Sequence, residues 1–299
     1  MLYGLVRHTA HGDLQPLEPI ISKVRFIESD LADYHSVASA VESANPDFIV
    51  HLGALTPVRL SYDNPFPFLR INFQGTCNLV HAILDAAPKA RLIYASTAEV
   101  YGWQHREPIG ETAVLRPSSP YGVSKSAADE YVQMAGNVYG LKYTVLRCNN
   151  TYGRSGEKGF LVESIITSIL NGGPVYVGAP DHIRDYMFVD DHTSAYILCL
   201  ERPDAEGEVF NVSPGNPITN LELANSVASA MGYGGEIIAG SYPPGYPYRP
   251  AKWDTEYIVL DSSKIRAKLG WKPSVTLQQG LKITIDRWPK ALRDRPEID

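Results

Sequence analysis

VRFIESDLADYHSVASAVESANPDFIVHL, residues 24–52, decides the fold. It opens on the β-branched and apolar run VRFIE, passes through YHSVASAVESA with apolar residues at helical spacing, and closes on FIVHL. Strand, helix and strand in that order make a crossover unit, whose two strands run parallel. The same alternation continues outward. YGLV precedes the stretch, and NFQGTCNLVHAILDAA, RLIYAS, KSAADEYVQMAGNVYG and YTVLR follow it. The expected fold is α/β, a doubly wound parallel sheet with helices on both faces. After about residue 150 glycine, proline and tyrosine concentrate in TYGRSGEKG and GSYPPGYPYRPAKW, which marks a loop-rich second region.

Composition narrows the function. With 299 residues, 44% of them hydrophobic and 20% charged, the chain can bury a substantial core. Its formal net charge of -6, with Lys and Arg dispersed, offers neither a stripe for nucleic acid nor a polybasic run for a membrane surface. Small molecules are the expected ligands. MLYGLVRHTAHGD has too short an apolar stretch for a signal peptide, and no run of 18 apolar residues occurs, so a cytoplasmic protein is expected. Cys77, Cys148 and Cys199 lie far apart in apolar contexts and read as core residues, not as a disulfide or zinc pattern. His8 and His11 have no third ligand nearby, and no metal site is expected.

In a doubly wound sheet, ligands bind beyond the carboxyl ends of the strands. FIVHL is followed by Gly53 and Ala54, small enough for a ligand to approach the backbone. RLIYA is followed by Ser96, Thr97 and Glu99, and YTVLR by Asn149 and Asn150. After VRFIES come Asp30 and Leu31, a carboxylate and an amide suited to an adenine edge.

SPYGVSKSAADEY, residues 119–131, places Tyr121 and Lys125 four apart behind a Ser119-Pro120 helix start. A lysine ammonium near a phenol favours the phenolate, as a base acting on a sugar or alcohol hydroxyl requires. The spacing alone fits an ordinary surface helix equally well. A second pair of the same spacing, Tyr248 and Lys252, sits in a proline-containing loop.

Ser96-Thr97 at a strand end, together with helix-borne Tyr121 and Lys125, resembles the Ser/Thr-Tyr-Lys constellation of the short-chain dehydrogenase/reductase superfamily. More narrowly, the chain resembles the extended branch of NAD(P)-dependent nucleotide-sugar epimerases and dehydratases. The likeness runs through SDLAD, HLGA, NFQGTCNLV, STAEVYG, SPYGVSK, RCNNTYG, RDYMFVDD, GEVFNVSPG, RPAKWD and DSSKIRAKLGWKP. It implies a Rossmann-like dinucleotide-binding domain over residues 1–150. A smaller α/β nucleotide-sugar-binding region then covers 151–299, with segment 185–200 returning to the first domain. Tyr121 would be the base, Lys125 would bind the nicotinamide ribose and tune the phenol, and Thr97 or Ser96 would hydrogen-bond the reacting hydroxyl. Leu52, Gly53, Ala54 and Asn72 would join Asp30, Leu31, Tyr121 and Lys125 around the cofactor. Asn150, Arg184 and Arg249 would hold the diphosphate, for which guanidinium geometry is suited. Asp190 and Asp191 read as N-cap residues for HTSAYILCL. A homodimer paired through NFQGTCNLVHAILDAA and SKSAADEYVQMAGNVY is also implied.

One departure is large. The family begins with a strand and a Gly-x-x-Gly-x-x-Gly turn that cradles the pyrophosphate, and this sequence contains neither. YGLVRHTA resembles the family's second strand, so about 30 residues of strand and helix are lacking. A gap is therefore expected between YGLV and FIVHL, in an incomplete version of a longer product or with another segment filling it. Arg7 stands where an acidic residue would bind the ribose of NAD, and an arginine suits the 2'-phosphate of NADP.

Glu99 bears on the reaction. The 4,6-dehydratases of the family carry a glutamate there to remove the C5 proton after oxidation at C4, whereas the epimerases carry a small residue. Ala98 replaces the aspartate that many dehydratases place before it, as in the GDP-mannose type. The expected activity is a sugar-nucleotide 4,6-dehydratase of the GDP-mannose or dTDP-glucose type. The alternatives are a 4-epimerase of the UDP-glucose type, a decarboxylase, or a non-catalytic binding protein.

Overall fold

The computed structural model describes residues 1–7, 14–104, 107–154, 159–246 and 254–288. The chain divides into two compact units. Unit 1 comprises Met1–Ser96, Pro120–Val145 and Ala205–Glu208; unit 2 comprises Thr97–Ser119, Leu146–Asp204 and Val209–Asp299.

Unit 1 opens with β1 (Leu2–Val6) and β2 (Val24–Glu28), paired in parallel with Leu2 opposite Val24 and Val6 opposite Glu28. A proline-bearing 3-10 helix, Gln15–Lys23, lies between them. α1 (Tyr34–Ala44) starts on Asp33, whose carboxylate accepts from the His35 amide, and stops at Asn45 in the left-handed region, just before Pro46. It buries Val37, Ala40 and Val41 and leads into β3 (Phe48–His51). The short helices α2 (Val58–Asp63) and α3 (Pro65–Phe68) pass through a π-helical turn, Leu69–Gln74, into α4 (Gly75–Ala86), which packs on α1. β4 (Arg91–Ala95) pairs in parallel with β3, Phe48 opposite Arg91 and His51 opposite Tyr94. α5 (Pro120–Tyr139) follows, beginning on the expected proline, and turns into β5 (Lys142–Cys148), which neighbours β4.

The strands therefore form parallel sheets crossed by helices, as the alternation implies. Leu92, Ile93 and Tyr94 of β4 are fully buried, as expected of a strand covered on both faces, each worth about 1.5–3 kcal/mol of burial. β1 and β2 stand as a two-stranded sheet of their own, while β3 ends the sheet that contains β4 and β5. β1 and β3 thus belong to separate sheets, and on them or just beyond them Leu2, Leu5, Phe48, Val50 and Leu52 stay exposed.

Unit 2 is built from β6 (Thr151–Tyr152), α6 (Leu161–Leu170), β7 (Val175–Val177), β8 (Ile183–Arg184), β9 (Met187–Phe188) and α7 (Val189–Glu201). It continues with β10 (Glu208–Val212), β11 (Ile218–Thr219), α8 (Asn220–Ala230), β12 (Ile237–Ala239), β13 (Tyr257–Ile258), α9 (Ser263–Leu269) and α10 (Leu277–Asp286). Its core gathers Tyr152, Ile165, Ile166, Phe188, Leu223, Val227 and Leu281. α8 and α10 each begin with a capping box, Thr219 with Glu222 and Thr276 with Gln279.

α7 corrects one reading. It starts at Val189 with Phe188 in the N-cap position, so neither Asp190 nor Asp191 caps it. Asp191 is the third residue of the first turn and is buried, its carboxylate accepting from the Ser274 amide, the Ser274 hydroxyl and the Val275 amide. It ties down the approach to α10 instead. Cys148 and Cys199 are buried, Cys77 half-buried, and all three are free thiols.

Candidate active site

Unit 1 assembles its polar residues where α5 crosses the end of β4. Tyr121 and Lys125 share the buried face of α5, with Phe68 edge-on to the Tyr121 ring at 6.4 Å. The Lys125 ammonium is 4% exposed at residue level, and Nζ donates to the Ala95 carbonyl at 2.5 Å. Proline at N1 pre-sets the start of the helix, and the i, i+4 spacing then puts both side chains on one buried face, from which Lys125 reaches the strand end.

Around this pair lies a buried network. The Ser96 hydroxyl donates to Asp129 Oδ2 at 2.5 Å, and Gln133 Nε2 donates to Oδ1 at 2.6 Å. Ser96 thus spends its only donor inside the unit. Asn72, expected at the cofactor, is 1% exposed: it accepts from the Leu55 amide at 2.7 Å and donates to the Leu55 carbonyl and to Ser124 Oγ, each at 3.0 Å. Ser124 in turn donates to the Tyr121 carbonyl at 2.8 Å, so Asn72 braces the first turn of α5.

His51 closes the network below. Thr76 gives its hydroxyl proton to the Asn72 carbonyl at 2.6 Å, which leaves its oxygen to accept from His51 Nε2 at 3.0 Å. His51 therefore carries its proton on Nε2. Burial, then the nearby Lys125 charge, push its pKa down to about 3 and keep it neutral.

The other expected cofactor residues follow strand ends: Arg7 after β1, Asp30 and Leu31 after β2, and Leu52, Gly53 and Ala54 after β3. A Cβ at Gly53 would lie 2.8 Å from Leu31 Cδ1, and one at Gly75 would lie 2.9 Å from Leu31 Cβ. At Gly75 the contact is with the rigid Leu31 Cβ and carbonyl, so a side chain there would force a shift, whereas at Gly53 the Leu31 methyl could turn aside. Asn78 Nδ2 holds the Leu31 carbonyl at 2.8 Å, and Asp30 Oδ1 accepts from the Ala32 amide at 2.9 Å. Asp30, Leu52 and Gly53 are exposed, Leu31 and Ala54 half-buried, and Arg7 is exposed just after β1. These residues fit one flank of a dinucleotide, while the glycine turn for its pyrophosphate is not in the sequence.

Unit 2 holds the remaining candidates. Thr97 caps the short 3-10 turn Ala98–Val100, its hydroxyl accepting from the Glu99 amide at 3.3 Å, and Glu99 is half-buried on that turn. Asn149 donates to Ser213 Oγ at 2.8 Å, and Asn150 is exposed. Arg184 is buried, its guanidinium donating to Asp254 Oδ1 (3.3 Å), the Thr255 carbonyl (2.7 Å), the Ile183 carbonyl (2.9 Å) and the Glu256 carbonyl (3.4 Å). Arg249, Tyr248, Lys252, His8 and His11 lie outside the described residues. No group of three or more His, Cys, Asp or Glu side chains is placed to hold a metal ion among the described residues. Sequence reasoning missed Tyr94, Asp129, His51 and Arg184's partner Asp254. Only Asp129 carried a signal, standing four residues after Lys125 on the same helix face.

The GDP-mannose 4,6-dehydratase family model matches residues 2–284. The chain belongs to that family. Curated relatives are similar along most of their length. The dTDP-glucose 4,6-dehydratase of Haemophilus influenzae is 33% identical over 284 residues, which is 88% of this chain and 82% of that one. Among solved structures, the dTDP-glucose 4,6-dehydratase DesIV of Streptomyces venezuelae, with NAD and TYD bound, superposes with a TM-score of 0.84 at 28% identity, covering 95% of this chain and 86% of that one. The UDP-glucose 4-epimerase of Thermotoga maritima, solved with UDP-glucose, has a TM-score of 0.82 at 30% identity, covering 90% and 86%. The extended short-chain dehydrogenase/reductase fold is thus shared by the GDP-mannose 4,6-dehydratase family and this chain. No helix among its described residues is long and apolar enough to cross a membrane.

Proposed function

We propose that the protein is an NAD(P)-dependent sugar-nucleotide 4,6-dehydratase acting through a transient 4-keto sugar. The observation that carries the reading is the buried pair on α5, where Lys125 is docked by its ammonium on the end of β4 one helical turn from Tyr121. A held cation beside a phenol favours its ionised form. Tyr121 would take the proton of the sugar C4 hydroxyl, Thr97 would hydrogen-bond the same hydroxyl, and a nicotinamide, when bound, would supply the acceptor for the C4 hydride and its donor to C6. With C4 a ketone, the C5 proton would be acidic: Glu99 would remove it and pass a proton to the departing C6 hydroxyl, which leaves as water, and C5 would take up a proton as hydride returns at C6. Ser96, tied to Asp129, supports the strand end instead of the substrate.

The domain assignment follows the same reading: residues 1–150 for the dinucleotide and 151–299 mainly for the nucleotide-sugar, gripped by Asn150 and Arg249, whereas 185–200 folds within unit 2 and the Arg184 guanidinium donates to Asp254 and the Ile183, Thr255 and Glu256 carbonyls. Arg7 favours NADP over NAD. α4 and α5 would pair two copies in the cytoplasm; Val138 and Tyr139 near the end of α5 are 64% and 50% exposed, as an interface in a single copy would be.

The test is product mass. A dehydratase releases a sugar lighter by one water and absorbing in alkali, and Glu99→Gln should lower turnover by about 10²–10⁴-fold. Product of unchanged mass, formed equally well by Glu99→Gln, would transfer the protein to the epimerases, the second reading that the Thermotoga maritima likeness keeps open.

A further inference from the structure

Lys125 carries its charge where little water reaches it, at 4% exposure. A buried ammonium persists only where fixed dipoles or opposite charge replace its hydration. Two consecutive residues of β4 contribute. The Ala95 carbonyl accepts from Nζ at 2.5 Å, and the centroid of the Tyr94 ring lies 4.3 Å from the same nitrogen. That separation is within cation–π range, and both the ring and the cation are desolvated, the condition under which this interaction is strongest.

The surroundings define what the ring offers. Burial raises the Tyr94 phenol well above its usual range, and the Asp129 and Tyr121 charges push the same way, so Tyr94 stays un-ionised. The face presented to Lys125 is that of a neutral aromatic ring, not a phenolate. His51, whose ring centroid is 5.6 Å from that of Tyr94, is itself neutral and adds no competing cation. Asp129 is engaged by Ser96 and Gln133.

We infer that Tyr94 is a positioning residue for Lys125, its ring face fixing the ammonium against the end of β4 within one helical turn of Tyr121. The catalytic consequence rests on the reading of Tyr121 and Lys125 as an acting pair; the contact itself does not.

Fluorination tests it, because fluorine drains charge from a ring face with little change in size. The full chain is prepared with phenylalanine at 94 (Tyr94→Phe) and with mono- and trifluorophenylalanine at the same position. The Lys125 pKa is followed by NMR of 13C-labelled lysine, its signal identified by loss in Lys125→Met. Tyr94→Phe should hold the pKa within a few tenths of a unit, and fluorination should lower it stepwise, by about one unit for the trifluoro ring. A Lys125 pKa indifferent to fluorination overturns the inference. A stepwise fall in a protein that turns over no sugar nucleotide supports the contact and removes the enzymatic reading instead.

Discussion

The Ser96–Asp129 hydrogen bond lends itself to a double-mutant cycle. Asp129 is fully buried and Ser96 is 7% exposed, and they meet at 2.5 Å between the end of β4 and the middle of α5. A hydrogen bond to a charged group contributes about 1.5–3 kcal/mol net. Ser96→Ala takes one donor from a buried carboxylate and should cost about that amount. Asp129→Ala strands the Ser96 hydroxyl as well as Gln133 Nε2, so it should cost more, the unsatisfied buried hydroxyl alone adding about 1–3 kcal/mol. In the double variant neither half is stranded by the other, and the loss should fall short of the sum by about 1.5–3 kcal/mol. Urea unfolding followed by far-UV circular dichroism reads all four proteins, with the midpoint falling and the slope unchanged. Losses that add to within about 0.5 kcal/mol would refute the pair as a coupled brace under Lys125.

Three further outcomes follow from the same residues. Tyr121→Phe removes the proposed proton acceptor and should lower kcat by about 10²–10⁴-fold in steady-state assays while a sugar nucleotide still binds; undiminished turnover would dismiss Tyr121 as the base. His51 has a folded pKa of about 3, below its unfolded value of about 6.5, so the unfolded chain takes up the proton first and stability is lost as pH falls through that window, at up to about 1.4 kcal/mol per pH unit. His51→Gln should flatten the urea-derived stability curve between pH 6 and 4, and an unaltered slope would mean that His51 titrates normally. Joining a strand, a glycine turn and a helix ahead of Met1 should tighten dinucleotide binding relative to the 299 residues, read by native mass spectrometry with and without NAD(P). Equal binding by both proteins would show that the pyrophosphate is held without such a turn.

Why some of this was legible in the sequence and some was not comes down to range. Val24–Glu28, Tyr34–Ala44 and Phe48–His51 each carry their period within a few residues, so a strand-helix-strand unit can be read from neighbours alone. Pro120 likewise announces α5, and the spacing of Tyr121 and Lys125 puts both on one face. The nine-residue 3-10 helix Gln15–Lys23 escaped because prolines suppress the α-helical pattern without specifying a replacement. Asp191 was misread because an aspartate near a helix start is normally a local cap, whereas here its acceptors serve amides more than eighty residues away. The same limit hides Tyr94. In RLIYA it is one more apolar strand residue, and only parallel pairing of β4 with β3 and the passage of α5 across the strand turn its ring into a surface for an ammonium. Local sequence can thus nominate the groups that react, because their identities and spacing are near-neighbour properties. The groups that hold them come from other elements, and their chemistry exists only once the sheet has formed.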